Sequence, residues 1–193
     1  MGLFPKKTQP LEVAKIGNPI LREKAQDVSP DTFDSDELIE LVEAMVATME
    51  AEGGIGIAAP QVGRSLALAV VEIPVDSARY KDAEPFELEV FVNPKITVLD
   101  EAEQEYWEGC LSVPDLRGLV PRPRSVQVDY LSLAGDERTI SAEGFLATVL
   151  QHELDHLEGI LFIDRIRDLT KLATLDEYRA HWLESTDAPS LED

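Results

Sequence analysis

The sequence predicts an α+β fold, in which short antiparallel or mixed β-sheets surround a central buried helix and a further helix follows near the C-terminal end. Two observations carry this prediction. Apolar residues recur at helical spacing near the start of the chain and again after residue 141, whereas the middle is β-branched and rich in turn residues. Helices and strands are therefore segregated along the chain, unlike the regular alternation of a parallel α/β fold.

The first helix is predicted to follow Asp34, which can cap its N-terminus because Glu37 stands three residues later. The glycines at 53 and 54 mark its end. Between these limits the apolar residues recur at helical spacing, at Leu38, Leu41, Val42, Met45 and Met49.

Four short strands are predicted between the helical regions, at residues 66–73, 88–94, 95–99 and 125–133. Each segment is rich in β-branched residues and is bounded by Pro, Asn or Gly. Because turn residues are dense between these segments, we expect antiparallel or mixed pairing.

A central helix is predicted from about Ser141 until Gly159, which is well placed to stop it. A helix that is apolar over so much of its circumference should be buried. One face carries Phe145, Val149, His152 and His156, and a flanking stripe carries Leu146, Leu150 and Leu157. The closing helix is predicted at 168–184, with apolar positions at Leu169, Leu172, Leu175, Tyr178 and Trp182.

The chain is predicted to form one catalytic domain over residues 10–184, between an N-terminal tail at 1–9 and an acidic C-terminal tail at 185–193. A chain of 193 residues is long enough for one well-buried core and short for two. No linker composition or repeat marks an internal boundary.

Charge and composition exclude several classes of partner. The formal net charge of −21 argues against direct binding to nucleic acid or to an anionic membrane, since both need concentrated Lys and Arg. No apolar run is long enough to span a membrane, and the first residues lack a secretion signal. The single cysteine, Cys110, permits no internal disulfide and suits a reducing compartment. We therefore expect a cytoplasmic protein.

The segment QHELDHLEG in the predicted central helix has the spacing of a metal-dependent hydrolase. Residues four apart on a helix project side by side, so His152 and His156 can bind one cation while Glu153 approaches its open coordination position. The chain has three histidines, and two of them are in this segment. Phe162 stands where a metzincin protease has its third histidine, so another residue must complete the site.

Two candidates for the third ligand follow from the sequence. Glu177 lies downstream at a distance typical of proteases that use glutamate, which would make the chain a metallopeptidase. Cys110 lies in the turn-rich segment YWEGCLSVPDLRG, and its thiolate would bind divalent iron or zinc strongly. A third possibility is a binding module with a structural metal, but such a site normally has four protein ligands and does not need Glu153.

The glycine-rich segment GIGIAAPQVG at 54–63 is a weak match to a dinucleotide fingerprint, because a predicted helix precedes it and Pro60 interrupts the helix that should follow. Gly54 and Gly56 instead favour a backbone that approaches a substrate closely. Gln61 then offers a side-chain amide of the kind that stabilises an oxyanion.

Three segments together resemble the signature motifs of the peptide deformylase family: GIGIAAPQ at 54–61, EGCLS at 108–112 and QHELDH at 151–156. The similarity extends through 113–123 and 15–22, and covers residues 11–165. It implies a metal-dependent hydrolase that removes formate from N-formylmethionyl chains newly made on ribosomes.

The resemblance also implies a role for each matching residue. The metal ligands are Cys110, His152 and His156, the catalytic acid and base is Glu153, and the oxyanion donors are the Gln61 amide and the Leu111 N–H. The backbone of Ile55, Gly56 and Gly109 would hold the peptide as an added strand. The methionine pocket would be lined by Phe145 and Val149, with Tyr106, Glu108 and Thr148 added by family analogy.

One divalent ion per chain is implied, with ferrous iron (Fe2+) as the physiological metal and zinc, nickel or cobalt possible in purified protein. The expected partners are formylmethionyl peptides emerging from the ribosome, and the expected state is a monomer or weak dimer. Some family members dock on the ribosome through a basic C-terminal helix, whereas residues 164–184 are not basic here. A helix that covers the core is therefore the preferred interpretation.

Overall fold

The computed structural model describes residues 8–75 and 83–183 of the chain. The predicted C-terminal tail and most of the predicted N-terminal tail lie outside these residues. The helices are α1 (Asp36–Glu52), α2 (Gly144–Leu157) and α3 (Leu175–His181). The strands are β1 (Gly56–Ala58), β2 (Leu68–Ile73), β3 (Phe86–Cys110), β4 (Val113–Leu131), β5 (Glu137–Glu143) and β6 (Leu172–Thr174). Among the described residues no helix is both long and apolar enough to cross a membrane.

All six strands belong to one sheet, in the order β1-β2-β3-β4-β5, with β6 paired to β4. Every pair of neighbouring strands is antiparallel. The predicted α+β class is confirmed, because β1 to β5 follow one another without an intervening α-helix and all the strand pairs are antiparallel.

The prediction of short strands was wrong for the two central ones. The segments 88–94 and 95–99 are parts of β3, which has 25 residues, and the segment 125–133 falls largely in β4, which has 19. Pro121 and Pro123 lie within β4, opposite Glu105 and Glu103 of β3. They are tolerated because β5 begins to pair only at Ser125, so β4 has no neighbour on its other side at these prolines.

Three helix boundaries also differ from the prediction. Ser35, not Asp34, caps α1, because its side chain accepts a hydrogen bond from the Leu38 N–H at 3.2 Å. The central helix begins at Gly144, since residues 141–143 still pair with β4. Residues 168–174 form a 3-10 turn and β6 before α3 begins.

Helices α1 and α2 pack against opposite faces of the sheet. In β2, Leu68 and Val70 contact the core beneath α1, whereas Ala69 and Val71 contact the core beneath α2. Successive strand residues point to opposite faces, so a strand buried on both faces is apolar throughout. Helix α2 is accordingly buried along almost all its length.

Helix α3 covers the back of β3. The ring centroid of Trp107 in β3 lies 5.0 Å from that of Tyr178 and 5.3 Å from that of Trp182, and Lys171 Nζ lies 4.1 Å from the Trp182 ring. The neighbours of Trp107 in β3, Tyr106 and Glu108, project from the other face of the strand. Helix α3 therefore packs directly behind the strand that leads to Cys110.

Candidate active site

The candidate site lies where the buried face of α2 meets the end of β3. One ligand atom from each of Cys110, His152 and His156 lies within 4.8 Å of the others, and Cys110 Sγ is 3.3 Å from His156 Nε2. Ligands around a tetrahedral zinc or iron ion lie roughly 3.5 Å apart, as metal–ligand distances of 2.0 to 2.3 Å require. The three side chains are therefore placed to hold a metal ion, as the sequence predicted.

A buried carboxylate orients one of the two histidines. Glu108 Oε2 is 2.8 Å from His152 Nδ1, which leaves Nε2 of that ring for the site. Arg122 balances the charge of Glu108, with its Nε at 2.5 Å from Oε1 and an Nη at 3.0 Å from Oε2. Glu108 is 0% and Arg122 3% exposed, so this ion pair is shielded from water.

The same arginine connects back to the ligand helix. Arg122 donates to Asp155 Oδ2 at 2.8 Å, and Arg165 donates to both oxygens of Asp155 at 3.1 and 2.6 Å. His152 and Asp155 are both on α2, so the hydrogen bonds close a ring that runs through β3, β4 and α2. A buried ring of charged groups restrains the orientation of His152.

The two histidines differ in the proton affinity of their rings. Burial alone lowers the pKa of both, because it disfavours the charged form. In His152 the hydrogen bonds that the ring donates to Cys110 and Glu108 outweigh burial and hold the pKa well above its ordinary value. In His156 the charges of His152 and Arg122 add to burial, and the pKa falls well below its ordinary value.

Glu153 is buried against the glycine-rich segment. Burial is the main reason that the pKa of Glu153 is raised to about 7, with a further contribution from Glu108. A Cβ atom at Gly56 would lie only 2.4 Å from Glu153 Oε1, so only glycine leaves room for this carboxylate. Gly109 is constrained in the same way, because its Cβ would lie 2.5 Å from the Arg117 guanidinium.

A cavity of about 30 Å³ lies in front of these groups, which is room for one or two water-sized groups. All three predicted motifs contribute to its lining, which consists of Gly54, Ile55, Gly56, Gln61, Gly109, Cys110, Leu111, His152 and Glu153 from the motifs and Val149 from the preceding turn of α2. The three motifs therefore meet at one cavity in the structure.

Gln61 is held with its amide nitrogen toward this cavity. Its Oε1 accepts a hydrogen bond from the Ala58 N–H at 2.7 Å, so Nε2 points the other way and lies 3.6 Å from Cys110 Sγ. Leu111 occupies the turn between β3 and β4, directly after Cys110, and lines the same cavity. Both predicted oxyanion donors are thus next to the candidate metal ligands.

The residues predicted to line the methionine pocket do not all lie in one place. The Tyr106 and Phe145 rings contact each other, with centroids 5.7 Å apart, and Thr148 on the same helix is fully buried beside Gln104. Val149 lines the cavity. Glu108 does not line it, because it is fully buried behind His152.

Two side chains that the sequence offered as possible ligands have other positions. The Phe162 ring stacks on the His152 ring at 6.3 Å and an interplanar angle of 19°, so it packs behind the ligand instead of replacing one. Glu177 is 68% exposed on α3, where it contacts His181 at 3.3 Å. The metallopeptidase alternative with Glu177 as third ligand is therefore wrong.

Sequence reasoning missed Arg122 and Asp155. Asp155 stands inside the motif QHELDH, on a helix whose other residues are almost all buried, whereas Arg122 stands in a strand that mixes buried and exposed positions and gives no such signal. A charged residue inside an apolar helix indicates a buried ion pair, which is the signal that was available for Asp155.

Comparison with known proteins points to the same family as the sequence motifs. Residues 10–172 match the family model described as polypeptide deformylase. The chain is 40% identical over 166 residues to a peptide deformylase of Leptospira biflexa, covering 86% of this chain and 92% of the relative. It is 44% identical over 164 residues to peptide deformylase 1 of Nitrosomonas europaea, covering 85% and 92%.

The solved structures that resemble this chain are also peptide deformylases. A Met-Ala-Ser-bound crystal structure of a class I type b peptide deformylase from Acinetobacter baumannii has a TM-score of 0.79 and 44% identity, covering 82% of this chain and 99% of that one. A peptide deformylase from Thermotoga maritima has a TM-score of 0.72 and 34% identity, with 83% and 99% covered. With the clustered motifs, these matches show that the chain belongs to the peptide deformylase family of hydrolases.

Proposed function

We propose that this chain uses one divalent metal ion, bound by Cys110, His152 and His156, to hydrolyse the N-formyl group of formylmethionyl peptides and release formate. The observation that carries the proposal is that these three donors lie together, and that two of them, Cys110 and His152, line one cavity with Glu153 and Gln61. A structural metal site would have a fourth protein ligand and would not need a carboxyl group in the open position.

The donor set suits ferrous iron and zinc alike, because a thiolate and two imidazoles are good ligands for both. We propose iron as the physiological ion, with zinc, nickel or cobalt able to take its place in purified protein. When bound, the ion supplies a Lewis acid that polarises the formyl carbonyl and activates water.

Glu153 is proposed to move the protons. Its carboxylate takes a proton from the attacking water and then delivers it to the amine nitrogen as the formyl C–N bond breaks, so that water and the formyl amide become formate and a free amine. A pKa raised to about 7 suits this double role near neutral pH, since the group can both accept and donate.

Gln61 and Leu111 are proposed to stabilise the negative charge that develops on the formyl oxygen. The hydrogen bond from Ala58 fixes the Gln61 amide before substrate arrives, so no reorganisation is needed during the reaction. The Leu111 N–H is the second proposed donor, at the turn that follows Cys110.

The substrate is proposed to lie along the backbone of Ile55, Gly56 and Gly109. The methionine side chain then enters the apolar region near Val149 and the Tyr106–Phe145 pair. The Acinetobacter baumannii relative, whose crystal structure holds Met-Ala-Ser, supports a peptide that begins with methionine.

The proposed setting is the cytoplasm, where the enzyme meets formylmethionyl peptides as they leave the ribosome and acts as a monomer or weak dimer. The packing of α3 against Trp107 supports a covering role for this helix. We therefore do not assign it to ribosome docking.

Glu153→Gln tests the proposed chemistry. We expect formate release from a formyl-Met peptide to fall by about 10²- to 10⁴-fold, the usual contribution of a general acid–base group, while metal content stays at one ion per chain. Glu177→Gln, an exposed glutamate on α3, is the matched control and should behave as wild type. An acetyl-Met peptide should not be cleaved. Normal formate release by Glu153→Gln would contradict the role of this residue.

A further inference from the structure

Residues 14–16 bridge the two segments that carry the proposed oxyanion donors. The Ala14 N–H donates to the Gln61 carbonyl at 2.7 Å, and the Ile16 N–H donates to the Ser112 carbonyl at 2.7 Å. Between them, Lys15 Nζ donates to the Leu111 carbonyl at 2.8 Å. This N-terminal segment therefore contacts the Gln61 segment and the turn after Cys110 together.

The Lys15 bond acts on one particular peptide group. The Leu111 carbonyl and the Ser112 N–H belong to the same planar unit. On the other side of that unit, the Ser112 N–H donates to Cys110 Sγ at 3.4 Å. A cation on the carbonyl polarises the unit and makes its N–H a stronger donor, because hydrogen bonds in a chain reinforce each other.

We propose that Lys15 is a positioning residue that acts on the metal-binding sulfur and on the Leu111 backbone through the Leu111–Ser112 peptide group. The inference rests on the proposed roles of Cys110 and Leu111. Lys15 strengthens the hydrogen bond on the Cys110 sulfur, and it restrains the turn that carries the Leu111 N–H. Hydrogen bonds to a ligand atom tune the metal that it binds.

An alternative is that Lys15 is an ordinary exposed lysine whose hydrogen bond has no effect on the site. Cobalt-loaded protein distinguishes the two, because the sulfur-to-cobalt charge-transfer band reports the electron density on Cys110. In Lys15→Met the sulfur loses part of its hydrogen bonding and becomes a better electron donor. We expect the band to move to longer wavelength.

Kinetics of the same variant give a second readout. We expect kcat on a formyl-Met peptide to fall by about tenfold with KM nearly unchanged, less than the ~10²-fold or greater loss when an oxyanion donor itself is removed. Lys15→Arg, which keeps a charged donor, should restore both the band and kcat. Lys15→Gln should give intermediate values, since a neutral amide polarises the carbonyl less.

Lys95→Met is the matched control, because Lys95 is exposed on β3 opposite Asp129 and does not line the cavity. If Lys15→Met matches this control in band position and kcat, Lys15 has no positioning role. If the wild-type enzyme itself releases no formate, the proposed function fails. The cobalt band still tests Lys15 in that case, so the two failures are separable.

Discussion

His152 and His156 stand one helical turn apart on α2 and contact the same candidate metal site, yet their surroundings differ. His152 Nδ1 bonds Glu108, whose charge is balanced by Arg122 inside the core. His156 Nδ1 is buried, and among the described residues it has no hydrogen-bond partner. Arg22, whose charge also lowers the pKa of His156, pairs with Asp164 near the surface, where their side chains are 43% and 38% exposed.

The difference shows that the two imidazoles are fixed by different means. His152 is oriented by a charged network before any metal binds, whereas His156 depends on helix packing and on its contact with Cys110. Removing a group from the network should therefore change metal affinity and folding stability together. Changes to the Arg22–Asp164 ion pair should affect folding stability but not metal affinity.

Cys110 lies beside both histidines in the candidate metal site, so replacing it tests the whole ligand set. We expect Cys110→Ser to weaken metal binding by more than the ~10- to 100-fold loss typical of an outer partner, and to abolish deformylation, because an alcohol is a much poorer ligand than a thiolate. Metal analysis after dialysis against a chelator measures this. Glu177→Ala should keep its metal and activity, and the reverse result for these two variants would restore Glu177 as the ligand.

Glu108→Gln tests the network behind His152. Metal affinity should fall by about 10- to 100-fold, as for other partners that orient a ligand. The free energy of unfolding should fall by up to about 3–5 kcal/mol, since Arg122 loses one of its two buried counter-charges. Chelator competition and urea denaturation measure the two effects.

Glu103→Gln is the control for this variant, because Glu103 forms an exposed pair with Arg167. Its metal affinity and stability should stay close to those of wild type. If Glu103→Gln lost as much metal affinity and stability as Glu108→Gln, the buried network would not be what orients His152.

The smallest effect on stability is expected at the exposed ion pair between Arg22 and Asp164. Burial opposes ionisation of Asp164, but hydrogen bonds from Arg22 and from the Leu161 N–H outweigh it and lower its pKa. The stabilisation is therefore complete above the unfolded-state pKa of about 3.9 and disappears as pH falls through the lower folded-state value. Asp164→Asn should cost about 1 kcal/mol or less at neutral pH.

Urea denaturation at neutral and at acidic pH measures this difference, which should vanish once Asp164 is protonated in both states. Metal affinity at neutral pH should be unchanged. A metal affinity loss as large as that of Glu108→Gln would remove the distinction between the two histidine environments.

The features that sequence predicted well are those set by local spacing. His152, Glu153 and His156 fall together because a helix has a fixed period, and Gly159 ends α2 through its left-handed backbone, with φ of 71°. Cys110 was one of two ligand candidates by spacing and chemistry, and the family resemblance favoured it. The structure places it in the cluster.

The features that sequence missed depend on contacts between distant segments. The length of β3 and β4 follows from their mutual pairing, which a reading of separate β-branched segments cannot show. Glu108 was predicted from family analogy to line the methionine pocket, but its environment is set by Arg122 and His152. Ser35 caps α1 in place of Asp34, whose φ of 54° places it outside the helix.

The contact of Trp107 with Tyr178 and Trp182 forms an aromatic cluster behind β3, and this cluster has a consequence for optical measurements. The chain has two tryptophans, and Trp107 and Trp182 lie within the same cluster, with centroids 5.3 Å apart. All indole emission therefore originates at the contact between α3 and the strand that carries Glu108 and Cys110. Intrinsic fluorescence will report the docking of the C-terminal helix, next to the catalytic strand, without any added label.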